Sequence, residues 1–99
     1  MTMQDFMQSG DPRRNTGRTS AQMKAAPEGS VFVWCNHDLH YPRELAMFVG
    51  RTDLKVVPLG WLENGAGRGR NFTGITVDYA AQLSVAAQDN LINIRAHVR

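Results

Sequence analysis

The sequence has little cysteine, no long apolar run and almost no excess charge. Its single cysteine, Cys35, excludes an internal disulfide framework and a zinc site built on several thiolates. No apolar run approaches the roughly 20 residues of a membrane span, and residues 1–10 lack the basic start and apolar stretch of a signal peptide. We therefore expect a soluble, cytoplasmic protein of a reducing compartment that does not associate with a membrane.

The charge and aromatic content also argue against a dedicated nucleic-acid binder. Eleven Lys and Arg against nine Asp and Glu leave a net charge of only +2, and aromatic residues make up only 8% of the chain. Such binders usually concentrate basic residues on one face and interleave them with exposed aromatic rings. Nucleic acid therefore stays a weakly supported alternative among the partners of this chain.

The hydrophobic content is sufficient for one compact domain, since 42% of the 99 residues are hydrophobic. The beginning of the chain differs from the rest, because residues 11–20 contain no apolar residue except Pro12. Such a stretch cannot contribute to a core by itself. We expect residues 1–20 to form a flexible N-terminal segment and residues 21–99 to form a single α/β domain.

The hydrophobic pattern predicts three strands and three helices. Strands are expected over residues 31–35, 54–59 and 72–78, and the first of these is apolar on both faces, as an interior strand is. Helices are expected over residues 20–26 and 41–49 and, from an apolar stripe over residues 83–98, at the C-terminus. This order predicts a small three-stranded, mostly parallel sheet with flanking helices and a long C-terminal amphipathic helix. The pattern leaves the direction of the third strand open.

The first candidate site is the polar segment that precedes the first predicted helix. Gly17 would let an anion approach the backbone, Arg18 would supply a cation, and Thr19 would supply a hydroxyl. Thr16 lies directly before them at the expected start of the helix. The ordinary alternative is a solvated linker that ends in a Ser or Thr N-cap.

The second candidate is Asp78, which follows the apolar residues of the third predicted strand. In open α/β sheets ligands collect at the carboxyl ends of strands, and a carboxylate placed there can hold a metal ion through water. The competing interpretation, which is the more common role for such an Asp, is the N-cap of the final helix.

Together these two segments resemble the Walker A and Walker B elements of P-loop NTPases. The resemblance implies that Arg18 contacts phosphate, that Thr19 is a magnesium ligand and that Asp78 supports the magnesium through a second layer of contacts. The chain departs from the family pattern: Pro12 stands where the loop begins with Gly, and Arg18 stands where the family has Lys. Tyr79 follows the acid where many such ATPases have a catalytic Glu, and no apolar strand precedes the loop. These departures imply binding without efficient hydrolysis.

A third cluster of polar side chains, at residues 35–40, follows the first predicted strand. Its Cys, Asp and two His have the chemistry of metal ligands. Cys35, however, should point into a packed face, and we therefore predict no metal site. Asn36 and Asp38 would lie at the strand end beside Asp78 and could extend its site.

The remaining candidates are arginines and one tryptophan that could contact an anion or a protein partner. Guanidinium groups on a flexible, glycine-rich backbone reach phosphates well, and a Trp leaving the sheet could anchor a partner. The ordinary alternatives are an exposed loop and a ring that covers one end of the core. These candidates are Arg13, Arg14, Arg68, Arg70 and Trp61.

The sequence favours a small anion- or nucleotide-binding protein that does not hydrolyse its ligand, with Mg²⁺ as the companion of a nucleotide. The alternative is a non-enzymatic protein-interaction module, of the kind that phages or mobile elements encode to inhibit a host complex. Met3, Phe6 and Met7, spaced as one helical face, would then contact the protein partner. A homodimer through the apolar stripe of the final helix is a further expectation left open.

Overall fold

The computed structural model describes residues 16–67 and 71–98, in which helices and strands alternate along the chain. The elements are α1 (Thr16–Ala25), β1 (Val31–Val33), α2 (His40–Phe48), β2 (Lys55–Val57), α3 (Leu59–Glu63), β3 (Ile75–Val77) and α4 (Val85–Arg95). None of the helices in these two ranges is long and apolar enough to cross a bilayer.

The three strands form one parallel sheet in the order β2-β1-β3. Val31 pairs with Lys55 on one side and with Ile75 on the other, so that all three strands begin at one level. The central position of β1 explains why its residues are buried on both faces. The predicted α/β class with flanking helices is confirmed, and the direction of the third strand, which the pattern left open, is parallel.

Alternating side chains of β1 point into two separate apolar clusters, one on each face of the sheet. Phe32 and Trp34 pack with residues of α1 and α2, such as Met23 and Leu45. Val31 and Val33 face the other way. Their cluster is completed by α3, α4 and β3 through Leu62, Ala87, Leu91, Ile94 and Ile75.

The helix bounds differ from the prediction at both ends of the chain. Residues 16–20, which we assigned to the N-terminal segment, form the first half of α1, whereas residues 1–15 lie outside the described residues. The final helix ends at Arg95, and Val98 beyond it is 38% exposed. The predicted C-terminal helix is confirmed, but its extension to Val98 was wrong, because residues 96–97 form a turn and Val98 forms a parallel β-bridge with Phe72.

The middle of the chain contains a helix that the pattern did not predict. The second strand was expected to include Leu59, but β2 ends at Val57 and Pro58 is the N-cap of α3. Proline suits this boundary because its fixed φ and missing N–H exclude it from a continuing strand ladder. Phe48, the last residue of α2, is 37% exposed.

Arg51 joins the end of α1 to the loop before β2. Its guanidinium group donates hydrogen bonds to three backbone oxygens at the end of α1 and just beyond it, those of Met23, Lys24 and Pro27. Arg51 also pairs with Asp53 at 3.0 Å, and Asp53 accepts a 2.7 Å hydrogen bond from the Gly29 N–H. These donors hold the pKa of the Asp53 carboxyl well below its usual value of 3.8, with the hydrogen bond from Arg51 as the largest cause.

Asn90 plays the corresponding part for the short helix α3. Its side chain is buried, and Nδ2 donates to the carbonyl oxygens of Leu62 at 2.8 Å and Glu63 at 3.3 Å. These are carbonyls of the last turn of α3, which have no partner within the helix. Asn90 therefore fixes α3 against α4 by hydrogen bonds in addition to apolar packing.

Candidate functional site

The first turns of α1 lie against the segment that follows β3. Thr19, the fourth residue of α1, donates a hydrogen bond from Oγ1 to Asp78 Oδ1 at 3.0 Å. Thr19 is fully buried and Asp78 is 1% exposed. The two candidate residues, which are 59 positions apart in the sequence, are thus direct partners.

Asp78 also lies beside the end of the central strand. Its backbone N–H donates to the Val33 carbonyl at 2.9 Å. Asp78 therefore comes directly after β3 in the chain and lies beside the carboxyl end of β1. The chain leaves β1 toward β2 on one side, and β3 lies on the other side. A crevice outside the carboxyl ends of strands at such a reversal of strand order is where open α/β sheets bind ligands.

Asp78 is not the N-cap of the final helix, and that interpretation was wrong. The cap is Ser84, whose Oγ accepts a 3.2 Å hydrogen bond from the Ala87 N–H. Asp78 Oδ2 does accept from the Ala80 N–H at 3.1 Å, but this bond belongs to a turn that precedes non-helical chain before α4. The Asp78 carboxylate consequently holds a local turn with one oxygen and the Thr19 hydroxyl with the other.

Gln22 adds a second connection between α1 and the end of β3. Its Nε2 donates to the Val77 carbonyl at 3.0 Å, and its Oε1 accepts from the Tyr79 N–H at 3.0 Å. The side-chain amide therefore fixes the backbone on both sides of Asp78. Sequence reasoning missed Gln22, although it follows Thr19 by three residues and so shares its helical face.

Arg18 stands over the ring of Tyr79, with its guanidinium carbon 4.2 Å from the ring centroid. The positive charge is attracted by the negative face of the aromatic ring, and the contact holds the long side chain near the turn at Asp78. Arg18 is exposed, unlike Thr19 beside it. A cation therefore lies at the solvent side of the buried pair.

The chemistry of this arrangement suits an anion that is accompanied by a hard cation. The first N–H groups of a helix have no partner within that helix, and the helix dipole favours negative charge at that end. Thr16 and Gly17 open α1 at this end. Hydroxyl and carboxylate oxygen atoms are the kind of ligand that Mg²⁺ prefers, and Thr19 and Asp78 place one of each at this end of α1.

Two further predicted contacts, Asn36 and Asp38, are used in local turns after β1. Asn36 Oδ1 accepts from the Asp38 N–H at 3.0 Å, and Asp38 Oδ1 accepts from the His40 N–H at 3.0 Å. All three are exposed. Within residues 16–67 and 71–98, no three His, Cys, Asp or Glu side chains gather as metal ligands, the Cys35 segment included.

Trp61 belongs to the apolar cluster between the sheet and the helices α3 and α4, and it does not project from the surface as an anchor would. It is partly buried, packs with the cluster around Leu62, and makes an edge-to-face contact with Phe72 at 5.9 Å between centroids. A Cβ added at Gly67 would collide with the Trp61 ring, so the ring fills the space beside this glycine. The other predicted anion or partner contacts, Arg13, Arg14, Arg68 and Arg70, lie outside the described residues.

No protein-family model, curated protein or solved structure matches this chain.

Proposed function

We propose that the chain binds the phosphate groups of a nucleotide together with Mg²⁺ at the first turn of α1. Arg18 and the N–H groups at the start of α1 would contact the phosphates. Thr19, which is fully buried, would offer its hydroxyl oxygen to the cation once the first turn of α1 shifts, and Asp78 would hold that hydroxyl in place.

The observation that carries the proposal is the buried hydrogen bond between Thr19 and Asp78. A threonine on the first turn of a helix and an acid just after a neighbouring strand are the two side chains that a P-loop-like magnesium site requires. A helix cap would have explained Asp78 by itself, but Ser84 holds that position. The carboxylate of Asp78 is therefore directed at Thr19 and at the turn that follows β3, and not at the start of α4.

Hydrolysis is not part of the proposal, because the residues that would promote it are replaced. Phosphoryl transfer depends on positioning and on electrostatic stabilisation of the transferred group. Arg18 stands where a lysine would reach the terminal phosphates, and it is drawn toward Tyr79. Tyr79 itself occupies the position at which a carboxylate would orient the attacking water, and a phenol is a poor base at neutral pH.

The test is isothermal titration calorimetry of the full chain with ATP, with and without Mg²⁺, below the melting temperature of each variant. We expect Mg²⁺-dependent binding by the wild-type chain. Thr19→Val, which removes the hydroxyl, should lose the Mg²⁺ dependence, and Arg18→Ala should weaken binding. The matched control is Ser20→Ala, which removes the neighbouring hydroxyl on the same helix and should bind as the wild type does.

Thermal unfolding provides an independent measurement. A ligand that binds only the folded chain at a hundred times its Kd adds about 2.7 kcal/mol of stability. For a domain of this size that corresponds to a rise in Tm of roughly 10–20 °C. The absence of any shift at millimolar ATP and Mg²⁺, or equal binding by the wild type and Thr19→Val, would overturn the proposal.

A further inference from the structure

The surface has an open groove of about 360 Å³ beside β2, at the edge of the sheet. We call it the α2–β2 groove. It lies between α2 and β2, with the loop that joins them. Its lining residues are Arg43, Ala46, Met47, Arg51, Thr52, Leu54, Lys55 and Val56. None of the residues of the Thr19–Asp78 site takes part in it.

The groove carries positive charge without a carboxylate in its lining. Arg43 and Lys55 are exposed, and in the described part of the chain neither side chain forms an ion pair. Arg51, the third cation, is already paired with Asp53 at 3.0 Å. Two cations are therefore available to a ligand at this surface, and a negatively charged ligand would complement them.

The floor of the groove includes the edge of the sheet. Because the order is β2-β1-β3, β2 has a strand partner on one side only. The Lys55 N–H donates to Ser30 and the Val57 carbonyl accepts from Trp34, so these two residues of β2 bond toward β1. Backbone groups alternate along a strand, which directs the N–H and C=O of Val56 away from β1. An extended chain could continue the sheet at this edge.

Apolar side chains stand beside these charges. Met47 is 68% exposed although it is a large hydrophobic residue, and Leu54, which is 8% exposed, forms part of the wall. Methionine adapts its shape to different apolar partners because its chain is unbranched and flexible. A ligand for this groove should therefore combine an apolar side chain with an adjacent negative charge.

We propose that the α2–β2 groove binds an extended, acidic peptide segment of a protein partner. The segment pairs with β2 through the Val56 backbone, places its carboxylates against Arg43 and Lys55, and sets an apolar side chain against Met47. The groove is open and not an enclosed cavity, which suits a chain that passes through it better than a small ligand that needs to be surrounded.

The test uses fluorescein-labelled peptides of alternating Glu and Val in fluorescence anisotropy with the full chain. The wild type should bind this peptide and bind its counterpart of alternating Lys and Val far more weakly. Arg43→Glu and Lys55→Glu should each weaken binding of the acidic peptide about tenfold, since each replaces an attraction by a repulsion. The matched control, Arg95→Glu, makes the same charge change on α4 and should leave binding unchanged.

A peptide of the same sequence with N-methylated backbone amides tests the strand pairing separately, and it should bind much more weakly. The proposal is overturned if the wild type does not bind the acidic peptide, if Arg95→Glu weakens binding as much as Lys55→Glu does, or if N-methylation has no effect. Full competition by free glutamate would also overturn it, because it would identify a site for small organic anions. Unchanged melting temperatures of the three variants exclude a loss of fold as the cause.

Discussion

Replacing Thr19 with Val removes the hydrogen bond to Asp78 while it leaves the shape of the side chain almost unchanged. Valine keeps the branching and nearly the size of threonine, but a methyl group stands in place of the hydroxyl. Thr19 is fully buried, so water cannot take over as a donor to the carboxylate without a rearrangement. Hydrogen bonds to charged groups contribute about 1.5–3 kcal/mol each. We expect the free energy of unfolding to fall by this amount, which is a large part of the total of about 5–15 kcal/mol of a typical domain.

The assay is urea denaturation followed by circular dichroism, together with a melting curve, in which Tm should fall by roughly 6–24 °C. A double-mutant cycle with Asp78→Ala then isolates the contact between the two side chains. The double variant should be more stable than the sum of the single losses predicts, by about 1–3 kcal/mol.

Ser20→Ala is the matched control for this experiment as well. Ser20 is buried on the same helix, and its Oγ has no hydrogen-bond partner in the described part of the chain. Its removal should cost little, since alanine also has the higher helix propensity. A change in stability of less than about 0.5 kcal/mol for Thr19→Val would refute a stabilising role of the hydrogen bond, as would losses for Thr19→Val and Asp78→Ala that add within the same margin.

Two further predictions concern the contacts that hold helix ends. Asn90→Leu removes the donor to two carbonyls of α3 and should lower the free energy of unfolding by about 1–3 kcal/mol, measured by urea denaturation; an unchanged midpoint would contradict the assigned role. Asp53→Asn tests the ion pair with Arg51 through the pH dependence of the melting temperature. Because the folded-state pKa of Asp53 is lowered, its contribution is complete above its usual value of 3.8 and is lost as the pH falls below that value toward the folded-state pKa. The difference in Tm between wild type and Asp53→Asn should therefore be present at neutral pH and shrink below about pH 4, and a constant difference would refute it.

The sheet could be predicted from the sequence because its strands have short apolar cores with a clear pattern. The run around Phe32 is apolar on both faces, and only the centre of a sheet buries both faces of a strand. The expected ends were too generous, since apolar residues such as Leu59 continue beyond the hydrogen-bonded strand. The helix α3 was missed because five residues are too few to display a helical period.

The sequence pointed to the two main side chains of the candidate site but not to the contacts that join them. Residue type and order pointed to Thr19 and Asp78, while their contact depends on how α1 lies across the sheet, which no local pattern encodes. Gln22 was overlooked because an amide on a helix has many ordinary roles, and only the folded chain brings it to the backbone around Asp78. The role of Asp78 as a helix cap was wrong since local preference indicates a nearby cap and does not say which of several candidates the helix uses.

The separation of 59 positions between Thr19 and Asp78 has a consequence for how the chain folds. The pair closes a loop that encloses most of α1 together with β1, α2, β2, α3 and β3, and the entropic cost of closing so long a loop is offset by the packing of the assembled sheet. The contact should therefore form after the folding transition state, when the last strand docks. A ligand at this position would stabilise the folded state but not the transition state. It would therefore slow unfolding and leave the folding rate almost unchanged.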